Sequence, residues 1–381
     1  MVNDKLETIV SSCLSHIEEV NYFSYDLFDA LTCPWLNSLT KMNTLVRRIV
    51  IQLSAKSVID FHWIGMKQMQ HTKTISDSLW AICLLSTAEI ESQEKIEKIC
   101  NLLLEKKSKS FYVWGLNFPY ATRFIDASEN MPNLYNTCTA GIAISHYCDL
   151  TKRRIDLLEK IYWDICNVFE YIDEGSKGFF IYYPGQKHPT YNVNALALYL
   201  FSRINKISSK DVIPSQRIEQ ILNLLISEQL ENGAWYYSRS KNGKWIDGFH
   251  TGFIIESLID VYLNGYSTFE LKQTIDKAIM YYIENLFTRD GFPKYFDFSR
   301  KYPIEAQNCA QAIQTLSFIK KFGSYEVDDL LGKVIQNTLD SLYSGNGFFY
   351  YKKTKQYTDK SSYLRWNTTP MLVALLNYVN Q

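Results

Sequence analysis

Residues 231–258 read ENGAWYYSRSKNGKWIDGFHTGFIIESL, and the reading of this stretch decides the fold. It opens on Asn232-Gly233, a dipeptide that readily supplies the positive φ of a tight turn. An aromatic run follows, Trp235-Tyr236-Tyr237, and then a second turn signal, Asn242-Gly243. The segment between the two turns is predicted to form a short hairpin. Beyond it lies Trp245-Ile246-Asp247-Gly248-Phe249-His250-Thr251-Gly252. After that Phe253, Ile254, Ser257, Leu258 and Val261 recur at three- and four-residue steps, the apolar spacing of a helix. The unit is turn, aromatic hairpin, polar cluster, helix.

The chain repeats this unit. Glycines at Gly65, Gly115, Gly178, Gly233, Gly291 and Gly347 are spaced by 50 to 63 residues, in local sequences such as WGLNFPY, GFFIYY, GAWYY, GFPKYF and GFFYY. Each follows a helical stretch and precedes aromatics, a polar cluster and a further helix. Helix pairs are predicted at 191–204 with 213–229, 250–264 with 268–287, and 306–320 with 326–343. Residues 4–20 form one more amphipathic helix, ending at the aromatic and acidic loop Asn21–Thr32. Open arrays of helix pairs use units of roughly 34–47 residues. The longer unit here points instead to an all-α closed ring, an (α/α)6-type toroid of about six helical hairpins with short aromatic β-hairpins at one end. No linker or charge run marks a boundary, so residues 1–381 are expected to form one domain, with residues 1–35 packed on the toroid.

Composition narrows the function. The chain has 381 residues, and 40 Lys and Arg balance 40 Asp and Glu, which argues against a broad nucleic-acid footprint. Aromatic residues make up 15% of the chain, with 27 Tyr and 8 Trp. At that density they fill a large core or line a site for a ring-shaped ligand such as a sugar. The charged N-terminus lacks the apolar stretch of a signal peptide, and no window approaches 18 apolar residues, so a cytoplasmic protein without a membrane span is expected. The eight cysteines form no CxxC pair, and neither a metal site nor a cofactor is expected.

After each aromatic turn a polar residue falls near the start of the next helix: Asn133, Asn192, His250, Glu305 and Arg365. In a toroid these helix starts converge on one mouth, and helix N-termini suit carboxylate or phosphate groups. The candidate catalytic residues are His250, Asp247, Glu305, Tyr236 and Tyr295. Asp247 and Glu305 suit acid and base roles in glycoside hydrolysis if they stand roughly 5–10 Å apart. Alternatively His250 with Tyr236 or Tyr295 moves a proton at C5 of a uronic acid, with Asn192 or Arg365 neutralising the carboxylate, as in epimerases and lyases. Trp235 is the expected stacking residue, and Trp366, Asn194 and His188 join the expected binding set. Each residue also has a structural reading. Asn192, Asn194 and Asp247 suit helix caps. Glu305 gains from the helix dipole. His250 suits a satisfied core position, and Arg365 beside Trp366 suits a surface stack. Tyr25, Asp26 and Asp29 would tie down the N-terminal loop. Toroidal terpene cyclases need an Asp-rich motif, and lanthionine cyclases and prenyltransferases need a Cys/His zinc site. Neither pattern is present.

Trp245-Ile246-Asp247-Gly248-Phe249-His250-Thr251-Gly252-Phe253 resembles the DNFHTGF signature of a family of bacterial proteins encoded among capsule and O-antigen genes. Tyr25-Asp26 with Asp29, Trp114-Gly115 with Asn117-Phe118 and Arg123, Asn192 with Asn194, Tyr302-Pro303-Ile304-Glu305, and Tyr363 with Arg365-Trp366 carry the resemblance along nearly the whole chain. Gly248 stands where that family usually has Asn, and Glu305 where it usually has Asp. More distantly the chain is similar to the helical domain of glucuronyl C5-epimerases. The resemblance implies an α/α toroid and a role in bacterial surface-polysaccharide biosynthesis. Trp114, Asn117, Tyr25, Asp26 and Asp29 join the candidate binding residues on this ground. The expected ligand is a sugar, nucleotide-sugar or lipid-linked glycan, with a homo-oligomer possible. The competing expectation is a non-catalytic glycan-binding or scaffold subunit of a polysaccharide assembly system.

Overall fold

A computed structural model describes residues 2–56, 65–85, 90–122 and 125–380. Trp63, Ile64 and Arg123, which the sequence singled out, lie outside the described residues. Among the described residues there are fourteen α-helices. In chain order they are α1 (Val2–Glu19), α2 (Pro34–Thr40), α3 (Thr44–Lys56), α4 (Thr72–Leu85), α5 (Ile90–Glu105), α6 (Leu134–Thr151) and α7 (Asp156–Val168). Then follow α8 (Tyr191–Ser208), α9 (Ser215–Ser227), α10 (Gly248–Leu263), α11 (Phe269–Asn285), α12 (Ala306–Phe322), α13 (Asp328–Leu342) and α14 (Thr368–Val379).

Six of these helices form a closed inner ring. α4 packs on α6, α6 on α8, α8 on α10, α10 on α12, α12 on α14, and α14 returns to α4. α5, α7, α9, α11 and α13 back them as an outer ring. The amino-acid pattern explains the two roles. Inner helices touch neighbours on nearly every side, so α8 is buried from Tyr191 to Ile204 and α12 from Ala306 to Ile319. Outer helices bury only one stripe, such as Leu331, Val334, Ile335, Thr338, Leu339 and Leu342 of α13. The chain is an α/α toroid. The sixth outer helix is α1, which packs on α14 and so joins the two ends of the chain. The N-terminal helix is thus part of the outer ring itself.

The repeated glycines sit in the turns from outer to inner helix. Gly233 has φ +92°, and a Cβ there would lie 2.3 Å from Lys277 O of α11. Gly347 has φ +77°, and a Cβ would meet Ser12 O of α1 at the same 2.3 Å. Each turn therefore presses its backbone onto the outer helix of the next hairpin, a contact and a φ that favour glycine. Short antiparallel pairs decorate this end of the ring: 23–24 with 69–70, 120–121 with 126–127, 171–173 with 178–180, and 352–353 between 304–305 and 358–359. The hairpin expected between Gly233 and Gly243 does not become a pair of strands. Tyr237 N–H donates to Trp245 O at 2.9 Å, but residues 241–243 form a 3-10 turn, and Ser238 bridges instead to Thr190. The chain doubles back just far enough to stack the Tyr237 and Trp245 rings, 4.6 Å apart and 11° from parallel.

Candidate functional site

The starts of the inner helices meet at one cleft. The second residue of five of them faces it: Lys73 of α4, Tyr135 of α6, Asn192 of α8, Phe249 of α10 and Gln307 of α12. The third residue adds Asn136, Val193 and His250, and Arg365 with Trp366 arrives just ahead of α14. Phe28, Tyr120, Tyr182, Tyr183 and Tyr237 complete a deep pocket of about 210 Å³. A wider vestibule of about 650 Å³ adjoins it, sharing Tyr120, Tyr182, Tyr183, Tyr237 and His250 and adding Arg48, Gln52, Lys187, His188 and Trp245. His188 therefore reaches the outer mouth, while Asn192, Arg365, Trp366 and His250 reach the inner pocket.

His250 is held by Asp247 twice. As the N-cap of α10, Asp247 accepts the His250 backbone N–H through Oδ1 at 2.7 Å, and its Oδ2 lies 2.6 Å from His250 Nδ1. Trp245 Nε1 donates to the same Oδ2 at 3.1 Å. Burial pushes the Asp247 carboxyl up, but the His250 ring and these hydrogen bonds outweigh it and hold the group below its ordinary value. An ionised Asp247 accepts a hydrogen bond from Nδ1–H, which leaves Nε2 as the lone-pair nitrogen of the neutral ring. Capping α10 and orienting the His250 ring are thus one arrangement. Gly248 follows from the same packing: a Cβ there would lie 2.8 Å from both Asn308 Oδ1 and Lys294 O.

The cations of the pocket have their partners behind them. Arg365 Nε and Nη2 both donate to the Asp26 carboxylate, the latter at 2.8 Å, and Trp366 Nε1 donates to Asp26 Oδ2 at 3.0 Å. Asp29 accepts the Asp26 N–H at 2.8 Å, and burial raises the Asp29 carboxyl to about 8. Lys73 Nζ lies 2.5 and 2.7 Å from the two Asp77 oxygens, and Thr369 hydroxyl donates to Asp77 at 3.1 Å. Burial lowers and Asp77 raises the Lys73 ammonium, and the partner wins. Burial likewise raises the hydroxyls of Tyr120, Tyr135, Tyr182 and Tyr183, so these rings offer protonated O–H groups. Among the described residues no Asp or Glu lines either the pocket or the vestibule.

Several expected site residues lie elsewhere. Trp235 is buried with Nε1 donating to Leu225 O at 2.8 Å, and Trp114 is buried with Nε1 donating to Leu103 O at 2.9 Å. Both are core struts that tie an aromatic turn to the preceding outer helix, which removes them from sugar stacking. Asn194 clamps the Phe180 backbone through both its amide atoms, and Asn117 bonds His71 and Gln70 O. Tyr236 packs under Lys244 and is displaced from the pocket by its neighbour Tyr237. Tyr295 and Glu305 form a separate group with Tyr351 outside the cleft. Burial, then the nearby Asp247 charge, raise Glu305, opposed by the Tyr351 hydroxyl and Lys352. Tyr25 packs beside Ala30, Cys33 and Met66, and Asp29 sits behind Asp26. Asp247 and Glu305 therefore do not flank the cleft as a hydrolytic pair would.

The sequence reading missed Lys73, Tyr120, Tyr135, Tyr182, Tyr183, Tyr237, Phe249 and Gln307. A signal for four of them was present, since Lys73, Tyr135, Phe249 and Gln307 share the second helical position with Asn192. Among the described residues no three His, Cys, Asp or Glu side chains converge in a way that could hold a metal. No described helix is long and apolar enough to cross a membrane.

No family model matches the chain, and no curated protein matches it in sequence. Solved structures match its shape. A sugar epimerase from a ruminal bacterium aligns with 81% of this chain and 87% of its own, at 13% identity and a TM-score of 0.64. Cellobiose 2-epimerase from Bacillus thermoamylovorans aligns over 81% and 87%, at 12% identity and a TM-score of 0.60. A possible member of the GH105 family from Salmonella enterica serovar Paratyphi A aligns over 100% and 94%, at 10% identity and a TM-score of 0.65. At such identities the likeness is one of fold, and the fold shared is the α/α toroid.

Proposed function

We propose that the protein is a carbohydrate-active enzyme that moves a proton on an acidic sugar, as a uronate epimerase or lyase. The single observation that carries this reading is the Asp247–His250 dyad opening onto a pocket walled by Arg365, Lys73 and tyrosines. The dyad makes Nε2 of His250 the base that takes the C5 proton, which is acidified by the neighbouring carboxylate. Asp26 engages Arg365 through Nε and Nη2, which leaves Nη1 for the substrate carboxylate. The negative charge that builds on that carboxylate as the proton leaves is stabilised by Arg365 and Lys73, already fixed by their buried partners. A protonated tyrosine on the pocket wall returns a proton from another face in an epimerase, or protonates the departing oxygen at C4 in a lyase. The absence of a carboxylate from the described cleft residues favours this chemistry over hydrolysis, which uses two. The pocket of about 210 Å³ suits a single sugar ring, and the vestibule the rest of a glycan. Structures named as sugar epimerases and a polysaccharide lyase share the fold. Placement in surface-polysaccharide biosynthesis rests on the sequence resemblance.

The test is incubation with uronic acids, neutral sugars and their nucleotide-linked forms in deuterated water, for wild type and His250→Ala. Deuterium uptake at C5 of a uronate, lost in the variant, is the expected result. Sugar binding that survives in His250→Ala, without exchange or cleavage in wild type, would overturn the enzyme reading in favour of a glycan-binding subunit.

A further inference from the structure

Beside the mouth, α2 and α3 carry an apolar surface that the toroid does not use. On α3 the inward side is already apolar: Ile51 is fully buried and Val50 half-buried. The outward side is apolar too, with Leu45, Val46, Ile49 and Leu53 exposed at helical spacing. Leu39 at the end of α2 is 75% exposed, Met42 in the connection 95%, and Leu53 66%. Trp35 at the start of α2 is also exposed. Apolar side chains thus stand on two sides of α3, and the outward set looks away from the protein.

The charge pattern names what that set faces. Residues 30–59 contain Lys41, Arg47, Arg48 and Lys56 and not one Asp or Glu, in a chain whose charges otherwise balance at 40 and 40. Arg47 is turned inward to Asp126, 3.1 Å away. Lys41 is exposed beside Met42, and Arg48 reaches the vestibule together with Gln52 of the same helix. Exposed Lys187 and His188 continue the basic rim on the far side of the vestibule. Large apolar side chains with cations, and with the neighbouring Asp126 carboxylate taken up by Arg47 and Thr44, make the pattern of a helix that lies flat in the headgroup region of an anionic bilayer.

We infer that the α2–α3 surface docks the protein on an anionic phospholipid membrane with the mouth of the toroid facing the headgroups. The apolar stripe enters the acyl boundary and the basic rim meets the phosphates. This orientation would let the vestibule take up a glycan held at the bilayer. The proposal is independent of the chemistry at His250, and deuterium exchange on a water-soluble sugar would report on that separately.

The experiment is co-sedimentation of the full chain with phosphatidylglycerol/phosphatidylethanolamine vesicles and with phosphatidylcholine vesicles. Wild type is compared with the triple variant Met42→Glu, Leu45→Glu, Leu53→Glu, and circular dichroism checks that both are folded. Binding to the anionic vesicles, at least about tenfold weaker in the variant and weaker at high salt, is expected. A second readout needs no apolar-to-acidic change: brominated lipids should quench part of the tryptophan emission of wild type and less in Trp35→Phe. No binding to anionic vesicles, or equal binding by the triple variant, would overturn the proposal. So would a dimer in sedimentation velocity that the triple variant dissociates, in the absence of vesicle binding, because the occupant would then be a second copy.

Discussion

Replacing Asp247 by asparagine tests the dyad with a minimal change of shape. The Asp247 carboxylate accepts from His250 N–H at 2.7 Å and Trp245 Nε1 at 3.1 Å, and faces His250 Nδ1 at 2.6 Å. In the Asp247→Asn variant the amide oxygen can keep the helix cap, where Asn is as good as Asp. The amide nitrogen then stands where Oδ2 stood, a donor set against two donors. The ring relieves the clash by moving its proton to Nε2, so that Nδ1 accepts. Trp245 has no such escape, and a buried N–H left unpaired costs about 1–3 kcal/mol. Turning the amide over would instead place its N–H₂ against His250 N–H and lose the cap.

The functional loss should exceed the structural one. With its proton on Nε2 the neutral ring can no longer accept a proton from the substrate at that atom, so the general-base contribution of about 100- to 10,000-fold is forfeited. The assay is the rate of C5 deuterium uptake at saturating uronate, read together with urea denaturation. We expect that fall in rate, a loss of about 1–3 kcal/mol in stability and little change in sugar affinity. Nitrogen-15 chemical shifts of His250 should move from the Nδ1–H to the Nε2–H pattern. A variant that is folded, shows the switched tautomer and still exchanges within about threefold of wild type would refute His250 as the base.

Three further outcomes follow from the same geometry. Asp26→Ala strips Arg365 of its buried counter-charge and should cost about 3–5 kcal/mol in urea unfolding, with weaker uronate binding as the guanidinium loses its mooring. Trp235→Phe removes the indole bond to Leu225 O and should cost about 1–2 kcal/mol of stability while leaving sugar affinity unchanged; a selective loss of affinity would restore Trp235 to the site. Burial raises Glu256, in the ring interior under Gln311 and Gln314, to about 7. Its contribution to stability is therefore fully present below its unfolded value of about 4.3 and lost as pH rises through about 7. That loss approaches about 4 kcal/mol, and Glu256→Gln should flatten this part of the stability profile measured by thermal melts.

The period of the glycines carried the fold because it has a mechanical cause: at Gly233 and Gly347 the turn backbone touches the next outer helix, and no Cβ fits. The same recurrence located the mouth, since every inner helix begins between 7 and 21 residues beyond its glycine. Spacing alone does not say which side of a turn an aromatic ring faces. Trp235 and Tyr237 stand two residues apart, yet Trp235 turns inward because its N–H meets the Leu225 carbonyl, and Tyr237 turns to the cleft because Trp245 returns to stack on it. Both outcomes depend on partners outside the local pattern. Glu305 shows the converse. It sits at the right place in the repeat, but its short strand pairs with residues 352–353 and carries its side chain toward Tyr351 instead of the pocket.

The acids and bases of the mouth sort into layers. Asp247 stands behind His250, Asp26 behind Arg365 and Asp77 behind Lys73, so each of these carboxylates near the pocket is committed to positioning a base or a cation. The face left toward the ligand is basic and phenolic, and the inner-helix N-termini add their own partial positive charge. Such a pocket stabilises negative charge that grows during a reaction and offers little to the oxocarbenium-like cation of glycoside hydrolysis. A proton taken from carbon beside a carboxylate generates the charge that this arrangement receives. The three acid–base pairs, contributed by four different stretches of chain, are on this argument the part of the toroid that the chemistry constrains most.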